Sequence, residues 1–439
     1  MKKVLVLGAG MVSRPLVNYL LNKGYKLTLA DMNRSKALSI LNNHPNGTPV
    51  VLDANNEDDL EDLIFSHDLV VSLLPYPMHT QVLRQCIRHK TSMVTTSYQS
   101  QAMLELKPYI EESGIVVLNE MGLDPGIDHM SAKKLIDRVH SMQGQIVNFY
   151  SLCGALPAPE AADNPLAYKF TWSPRGVMSA SLNSAHYLNN GEEVTVTADQ
   201  LFYNPFKVEF PEVGVLEVYP NRDSVSYIDD YAIPEVKTML RGTLRLPGWC
   251  ETLDAMKKLG LLDMQPINME DMSYFNLIER KVGTLYPQYE CQIAKFLQIE
   301  ETSPAIRAIK WLGFPSNDII GKTFESPFNV TCDLMFSKMM LKEHERDMVL
   351  MQHELIVKYP GDREERILSR LVDYGTPGED TAIARTVALP AAIAVDLILS
   401  GQITQKGLIR PFLPEIYLPV LEQLEKVGIV LEEDVKLLV

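Results

Sequence analysis

Two groups of residues in this chain have the types and spacing to do chemistry. The first is Gly8-Ala9-Gly10-Met11-Val12-Ser13, which follows the apolar run Val4–Leu7 and enters a helix carrying Leu16, Val17, Leu20 and Leu21 on one face. Gly8 permits a tight turn, and Gly10 lets the backbone approach a pyrophosphate at the helix N-terminus, where free N–H groups and the helix dipole favour an anion. Ser13 stands where a third glycine is usual and is small enough for close helix–strand packing. A second strand, Lys26–Ala30, ends on Asp31, about 20 residues beyond the glycines, where an acidic side chain accepts hydrogen bonds from an adenosine ribose. A carboxylate there repels a 2′-phosphate, so the reading favours NAD over NADP. Arg34, three residues on, is the group that would reverse this by pairing with that phosphate.

The second group is polar and lies further along: Asn119–His129, Cys153–Glu160, Asn164–Pro174, Tyr219–Ser224 and Leu240–Arg245. Arg222, Arg241 and Arg245 fall on turns beside apolar strands, where guanidinium groups can clamp carboxylates bidentately. Each of them alone could instead bridge a structural acid.

The elements that position the first group alternate strand and helix. Pro49–Leu52, Asp68–Leu74, Met93–Thr96 and Ile115–Leu118 read as buried strands, separated by helical segments such as Glu57–Ile64. Parallel strands joined by right-handed crossovers bring their C-terminal ends to one edge. That edge would gather Gly8–Ser13, Asp31, Leu74, Thr95–Tyr98 and Met121–Asp124. Ile146–Cys153 and a hairpin turning at Pro360-Gly361 read as antiparallel sheet. Residues 378–401 and 412–428 read as helices returning to the first domain.

Composition excludes several classes. The chain has 439 residues and a formal charge of −15, which argues against nucleic-acid or membrane-surface partners. The chain opens directly on a strand rather than a signal peptide, and no apolar run is read as reaching the roughly 18 residues needed to cross a bilayer. Five scattered cysteines without a CxxC pair suit reduced thiols in the cytoplasm, and the nine histidines show no metal-ligand spacing.

The polar segments also carry a resemblance. Leu73–Tyr76 (LLPY), Val94–Tyr98, Asn119–His129 (NEMGLDPGIDH), Cys153–Glu160 (CGALPAPE), Asn164–Pro174, Pro220–Ser224 (PNRDS) and Arg241–Arg245 (RGTLR) occur in the order found in saccharopine dehydrogenases of the glutamate-forming type. Arg385–Pro390 and Lys406–Phe412 extend the similarity nearly to the C-terminus. Ala155, Thr171 and Leu246 depart from that family's pattern without removing a charged contact.

The resemblance implies a small-molecule substrate, saccharopine, whose secondary amine joins lysine to glutamate and which carries three carboxylates. Oxidation at the amine and hydrolysis of the imine would give L-glutamate and 2-aminoadipate 6-semialdehyde. Carried over by motif, cofactor contacts fall on Gly8, Gly10, Met11, Val12, Asp31, Leu74, Thr95, Met121, Gly122 and Leu123. Substrate contacts fall on Thr96, Ser97, Asp124, Arg222, Thr243, Leu244 and Arg245. Asp124 is the acid–base candidate, or else the N-cap of a helix beginning near Pro125. Tyr98 and His129 stand behind it, His129 being read as structural. The alternatives are a related amino-acid or polyamine dehydrogenase, of the carboxynorspermidine synthase or lysine 6-dehydrogenase type, and a non-catalytic cofactor-sensing protein.

The expected fold class is α/β: a Rossmann-type parallel-sheet domain (1–128 plus about 378–439), an α+β substrate and dimerisation domain (129–247 plus about 330–377), and an inserted helical subdomain (about 248–329). A homodimer is the expected assembly.

Overall fold

The computed structural model describes residues 1–285, 289–321 and 324–438. The chain divides into two compact units. The first comprises Met1–Ile146, Asp230–Ala232 and Val357–Val439, and the second Val147–Asp229 and Ile233–Ile356.

In the first unit, strands β1 (Lys3–Leu7), β2 (Lys26–Asp31), β3 (Gly47–Val51), β4 (Leu69–Ser72), β5 (Ser92–Thr95) and β6 (Val116–Leu118) form one parallel sheet. A seventh strand, Gly407–Ile409, pairs in parallel with β6, giving the order 407–409, β6, β5, β4, β1, β2, β3. The order reverses between β1 and β4, the place where an open α/β sheet leaves a crevice at its strands' C-terminal ends. β4 and β6 are buried at every residue, as befits strands covered on both faces.

Four helices follow successive strands: α1 (Arg14–Asn22), α2 (Arg34–Leu41), α3 (Glu57–Phe65) and, after β4, α4 (His79–His89). Leu60 and Ile64 of α3 and Val82, Leu83 and Cys86 of α4 join Leu5, Leu7, Val70 and Val117 in one core. α1 buries Leu16, Val17, Leu20 and Leu21 and packs against the helix Ala382–Leu399.

That last helix corrects the sequence reading. Its 18 residues, at mean hydropathy 1.9, are long and apolar enough to cross a membrane. It is nonetheless 72% buried within the protein, and its Arg385 pairs with Asp373 at 3.3 Å. It is the core helix that closes one face of the sheet.

The second unit holds the strands Phe206–Phe210, Gly214–Pro220, Thr238–Arg245 and Gln145–Pro157, paired in that order, with Asp347–Lys358 next. Gln145–Pro157 runs parallel to Thr238–Arg245, so the sheet is mixed where alternation alone had suggested antiparallel pairing. The stretch 248–329 lies within this second unit as short helices, among them Trp249–Lys258, Tyr274–Val282 and Pro304–Leu312. Its residues 286–288 and 322–323 fall outside the described residues. Ser273 and Ser303 begin two of these helices, each accepting a backbone N–H three residues on.

Gly8 is the tightest test of this arrangement. Its φ is +105°, and a Cβ there would sit 3.0 Å from the Leu73 carbonyl oxygen. Gly8→Ala should therefore cost about 1–3 kcal/mol, read as a lowered midpoint in thermal or urea unfolding. An unchanged midpoint would mean the turn relaxes freely.

Candidate active site

The glycine turn is built as the sequence implied. Gly8 N–H donates to Ala30 O at 2.8 Å, tying β1 to β2. A Cβ on Gly10 would meet no protein atom within 4 Å, so the backbone there is open to close approach. Ser13 is fully buried and its hydroxyl donates to Gly10 O at 2.8 Å. Met11 is half exposed, and the first turn of α1 carries no acid to compete with an anion.

Asp31 has a structural task. Its Oδ2 accepts from Ala9 N–H at 2.8 Å and its Oδ1 from Asn33 N–H at 2.7 Å. The Asn33 side chain in turn caps α2, accepting from the N–H groups of Ser35 and Lys36. Both carboxylate oxygens are thus engaged by backbone amides. Arg34 is exposed at the start of α2 and makes no ion pair among the described residues.

At the ends of β5 and β6 the structure brings the predicted residues together. Met121 N–H donates to Thr95 O at 3.1 Å and Glu120 N–H to Ser97 O at 3.1 Å. A Cβ on Gly122 would lie 3.2 Å from Thr96 O, so only glycine allows the two segments to lie this close. Gly126, at φ +148°, would press a Cβ to 2.0 Å from Gly122 O. Met121 and Leu123 are buried, whereas Thr96, Ser97, Tyr98 and Asp124 are half-buried. The Tyr98 hydroxyl donates to Asp124 Oδ1 at 2.8 Å.

The capping role considered for Asp124 is not seen: Gly126 is the N-cap, and no side chain caps the helix. The helix Ile127–Ser141 starts after Gly126, whose N–H donates to Asp128 Oδ1 at 2.6 Å. His129 is fully buried, its Nδ1 2.8 Å from the Tyr231 hydroxyl and its Nε2 3.2 Å from Glu120 Oε2. Burial opposes the Glu120 charge, but its bonds to His129 and to Gln99 N–H outweigh this and hold its carboxyl below the usual range. His129 is a core residue.

One residue went unnoticed in the sequence. His79, first in α4, is 1% exposed. Its Nδ1 is 2.9 Å from Ser72 Oγ, and its Nε2 is 2.8 Å from Ser97 Oγ and 3.4 Å from Thr95 Oγ1. Burial pushes its imidazole down to about 4. A single histidine on an apolar helix face gives no signal beyond core packing. Only the fold shows that it joins the ends of β4 and β5.

In the second unit, Thr243 pairs with Tyr219 on one side and Cys153 on the other, and Arg245 pairs with Glu217. Alternation puts Thr243 and Arg245 on one face of the sheet and Leu244, fully buried, on the opposite face. Leu244 therefore offers only backbone to that face, and its carbonyl accepts from Arg245 Nη1 at 2.8 Å. The Arg245 guanidinium is 5.0 Å from the Tyr168 ring, 5.4 Å from Trp249 and 5.8 Å from Tyr219. It is 6% exposed, forms no ion pair among the described residues, and its Nε lacks a hydrogen-bond partner, as do Tyr168 Oη and Trp249 Nε1. Arg241, also buried, stacks on Tyr227 at 4.4 Å and reads as structural. Arg222 is exposed on a left-handed residue, φ +51°, with its carbonyl accepting from His186 N–H. Among the described residues no cluster of His, Cys, Asp or Glu could hold a metal.

Fold and site together are those of a dinucleotide-dependent oxidoreductase. Residues 4–118 match the profile of the saccharopine dehydrogenase NADP binding domain, and 122–429 that of the saccharopine dehydrogenase C-terminal domain. The chain belongs to the saccharopine dehydrogenase family. It is 37% identical to saccharopine dehydrogenase [NADP(+), L-glutamate-forming] of Pyricularia oryzae over 447 residues, covering 99% of each chain. Its identity to the protein of that name from Saccharomyces cerevisiae is 38%, over 98% of this chain and 99% of the relative. It is also 38% identical to the mitochondrial alpha-aminoadipic semialdehyde synthase of Rattus norvegicus, matching 47% of that longer protein. The apo structure of the Saccharomyces cerevisiae saccharopine dehydrogenase (L-Glu forming) superposes with a TM-score of 0.90 over 99% of this chain, at 35% identity.

These names correct the cofactor preference. The two fungal relatives are named as NADP(+) enzymes and the matched profile is that of an NADP binding domain, so the expectation of NAD from Asp31 fails. Both Asp31 oxygens are taken up by backbone amides, Ala9 and Asn33, so the carboxylate serves the two turns first and its dipolar partners offset part of its field.

His79 makes a further prediction. The folded state disfavours the imidazolium, so its contribution is complete above the ordinary value of 6.5 and is lost as pH falls toward about 4. Wild-type stability should drop across that window by on the order of 3 kcal/mol more than that of His79→Gln. Paired unfolding curves at pH 7 and pH 4.5 check this, and parallel losses in both proteins would refute it.

Proposed function

We propose that this chain catalyses the NADP-dependent oxidation of saccharopine to L-glutamate and 2-aminoadipate 6-semialdehyde. The observation that carries the reading is Arg245. A buried guanidinium without an acid partner is costly to desolvate and calls for an anionic ligand. Saccharopine brings three carboxylates, and Arg222 supplies a second cation just past the strand Gly214–Pro220 of the same unit. The relatives' names, over almost the whole chain, give the reaction.

The glycine turn and the N-terminus of α1 would hold the pyrophosphate through their free backbone N–H groups, the first turn of α1 carrying no acid. Arg34 and the start of α2 hold the 2′-phosphate, beside an Asp31 whose oxygens are already engaged. The bound nicotinamide supplies a hydride acceptor. Asp124, held by Tyr98, takes the proton that the secondary amine loses as the carbon–nitrogen double bond forms. The same carboxyl then orients the water that adds to this carbon, after which the carbon–nitrogen bond breaks and the nitrogen leaves with glutamate. Thr96 and Ser97 in the first unit, and Thr243 in the second, offer hydroxyls suited to a substrate's polar groups. All five cysteines are free thiols, which supports a reducing compartment such as the cytoplasm. The edge strand Phe206–Phe210 is the surface on which we place a homodimer.

Absorbance of the reduced cofactor, with saccharopine and either NADP or NAD, tests the reading directly. Turnover should require saccharopine and favour NADP. Arg34→Ala should raise KM for NADP about 10- to 150-fold and leave NAD kinetics nearly unchanged. Arg245→Ala should lower kcat/KM for saccharopine by a similar factor, with KM for NADP unmoved. A loss of NADP affinity in Arg245→Ala would move that residue out of the substrate site.

Asp124→Asn separates chemistry from architecture. Loss of a positioned proton acceptor should lower kcat by about 10²–10⁴-fold. The melting temperature should stay near wild type, because Asp124 does not cap the following helix, whose N-cap is Gly126. Near-normal turnover would rule Asp124 out as the acid–base group.

A further inference from the structure

We propose that His79 is a positioning residue that makes the Ser97 hydroxyl a directed hydrogen-bond donor to a substrate carboxylate. This rests on the reading above that Ser97 meets saccharopine.

The argument is one of hydrogen-bond supply. A neutral imidazole has one donor and one acceptor, and His79 stays neutral because it is buried and because its place at the start of α4 disfavours a positive charge. Ser72 Oγ is fully buried, and its hydrogen-bond partner among the described residues is His79 Nδ1, at 2.9 Å. The Ser72 proton therefore has Nδ1 as its acceptor, which places the ring proton on Nε2. The Nε2–H then donates to Ser97 Oγ, 2.8 Å away. Thr95 Oγ1, the other neighbour of Nε2 at 3.4 Å, accepts from Ser97 N–H at 3.3 Å and so fixes the Ser97 backbone in the same gesture.

With its oxygen held by the imidazole, Ser97 has its own proton left to give. Ser97 is half-buried, whereas Ser72, Thr95 and His79 are enclosed, so that proton faces outward. Had Nδ1 carried the proton, Ser97 would turn its O–H inward to Nε2 and present lone pairs to the substrate instead. A carboxylate would then meet an acceptor. The hydroxyl of Ser72, on the far side of the ring, thus selects the polarity of Ser97.

Side-chain geometry supplies the test. An Asn amide reaches the Nδ1 position and can satisfy Ser72, whereas a Gln amide reaches the Nε2 position and can still donate to Ser97. His79→Asn should raise KM for saccharopine about 10-fold while kcat and KM for NADP stay within about twofold. His79→Gln should recover most of the loss. Ser72→Ala, which removes the selecting hydroxyl, should raise the same KM a few-fold and serves as the conservative variant should His79→Asn fold poorly. In a Ser97→Ala background neither substitution should add more than about twofold.

Effects of His79→Asn or Ser72→Ala that persist undiminished on Ser97→Ala, or that fall equally on KM for NADP, would overturn the role of His79. A Ser97→Ala enzyme with unchanged KM for saccharopine would instead overturn the placement of Ser97 at the substrate. The two failures are read from different variants.

Discussion

The carboxylate of Asp31 is the joint on which the nucleotide-binding half depends. With one oxygen it holds the Ala9 amide and with the other the Asn33 amide, so that a single side chain at the end of β2 fixes two turns. Hydrogen bonds from amides to an ionised acceptor are stronger than those between neutral groups. The first turn can only close because Gly8 has no Cβ to meet Leu73. The second turn aims the first residues of α2. A carboxylate that looks in the sequence like a ligand contact is therefore first of all a tie between two pieces of backbone, and that double duty is why it misleads about the cofactor.

What the sequence made legible follows physical range. β1, β4 and the glycine turn are local signals: continuous apolar runs, a fixed spacing and a helix face. The strand ends that gather Thr95, Ser97, Met121 and Gly122 follow from chain-crossover handedness, and the structure places them in mutual contact. Gly407–Ile409 could not be read, since three residues carry no periodicity and their pairing with β6 spans most of the chain. Gln145–Pro157 was legible as a strand but not as a parallel one, because direction is set by a partner about 90 residues away. Asp124 and Asp128 are four residues apart, and only backbone geometry distinguishes the carboxylate that binds the Gly126 amide from the one that binds Tyr98. His79 was silent for the same reason: its meaning lies in three hydroxyls from two separate strand ends.

Arg245 shows how a binding site can be stocked ahead of its ligand. The guanidinium is enclosed by Tyr168, Tyr219 and Trp249, whose ring faces offset part of the desolvation cost. Among the described residues nothing acidic pairs with it, and Tyr168 Oη and Trp249 Nε1 stand beside it with unused hydrogen-bonding capacity. Such a cluster weakens the fold slightly while keeping its geometry fixed for an incoming anion. At Gly154 a Cβ would sit 2.8 Å from Leu244 O, so the absence of a side chain there keeps the strand carrying Arg245 close to its neighbour.

The discontinuity of the first unit also bears on how the protein comes into being. Its parallel sheet gains its last strand from Gly407–Ile409, and α1 finds its packing partner only in Ala382–Leu399. During synthesis, the first 146 residues thus leave the ribosome with one apolar face bare, and some 200 residues of the other unit must follow before the covering helix arrives. Long sequence separation slows folding and prolongs the exposure of sticky surface. The nascent nucleotide-binding half is therefore the part of this chain with most need of a chaperone.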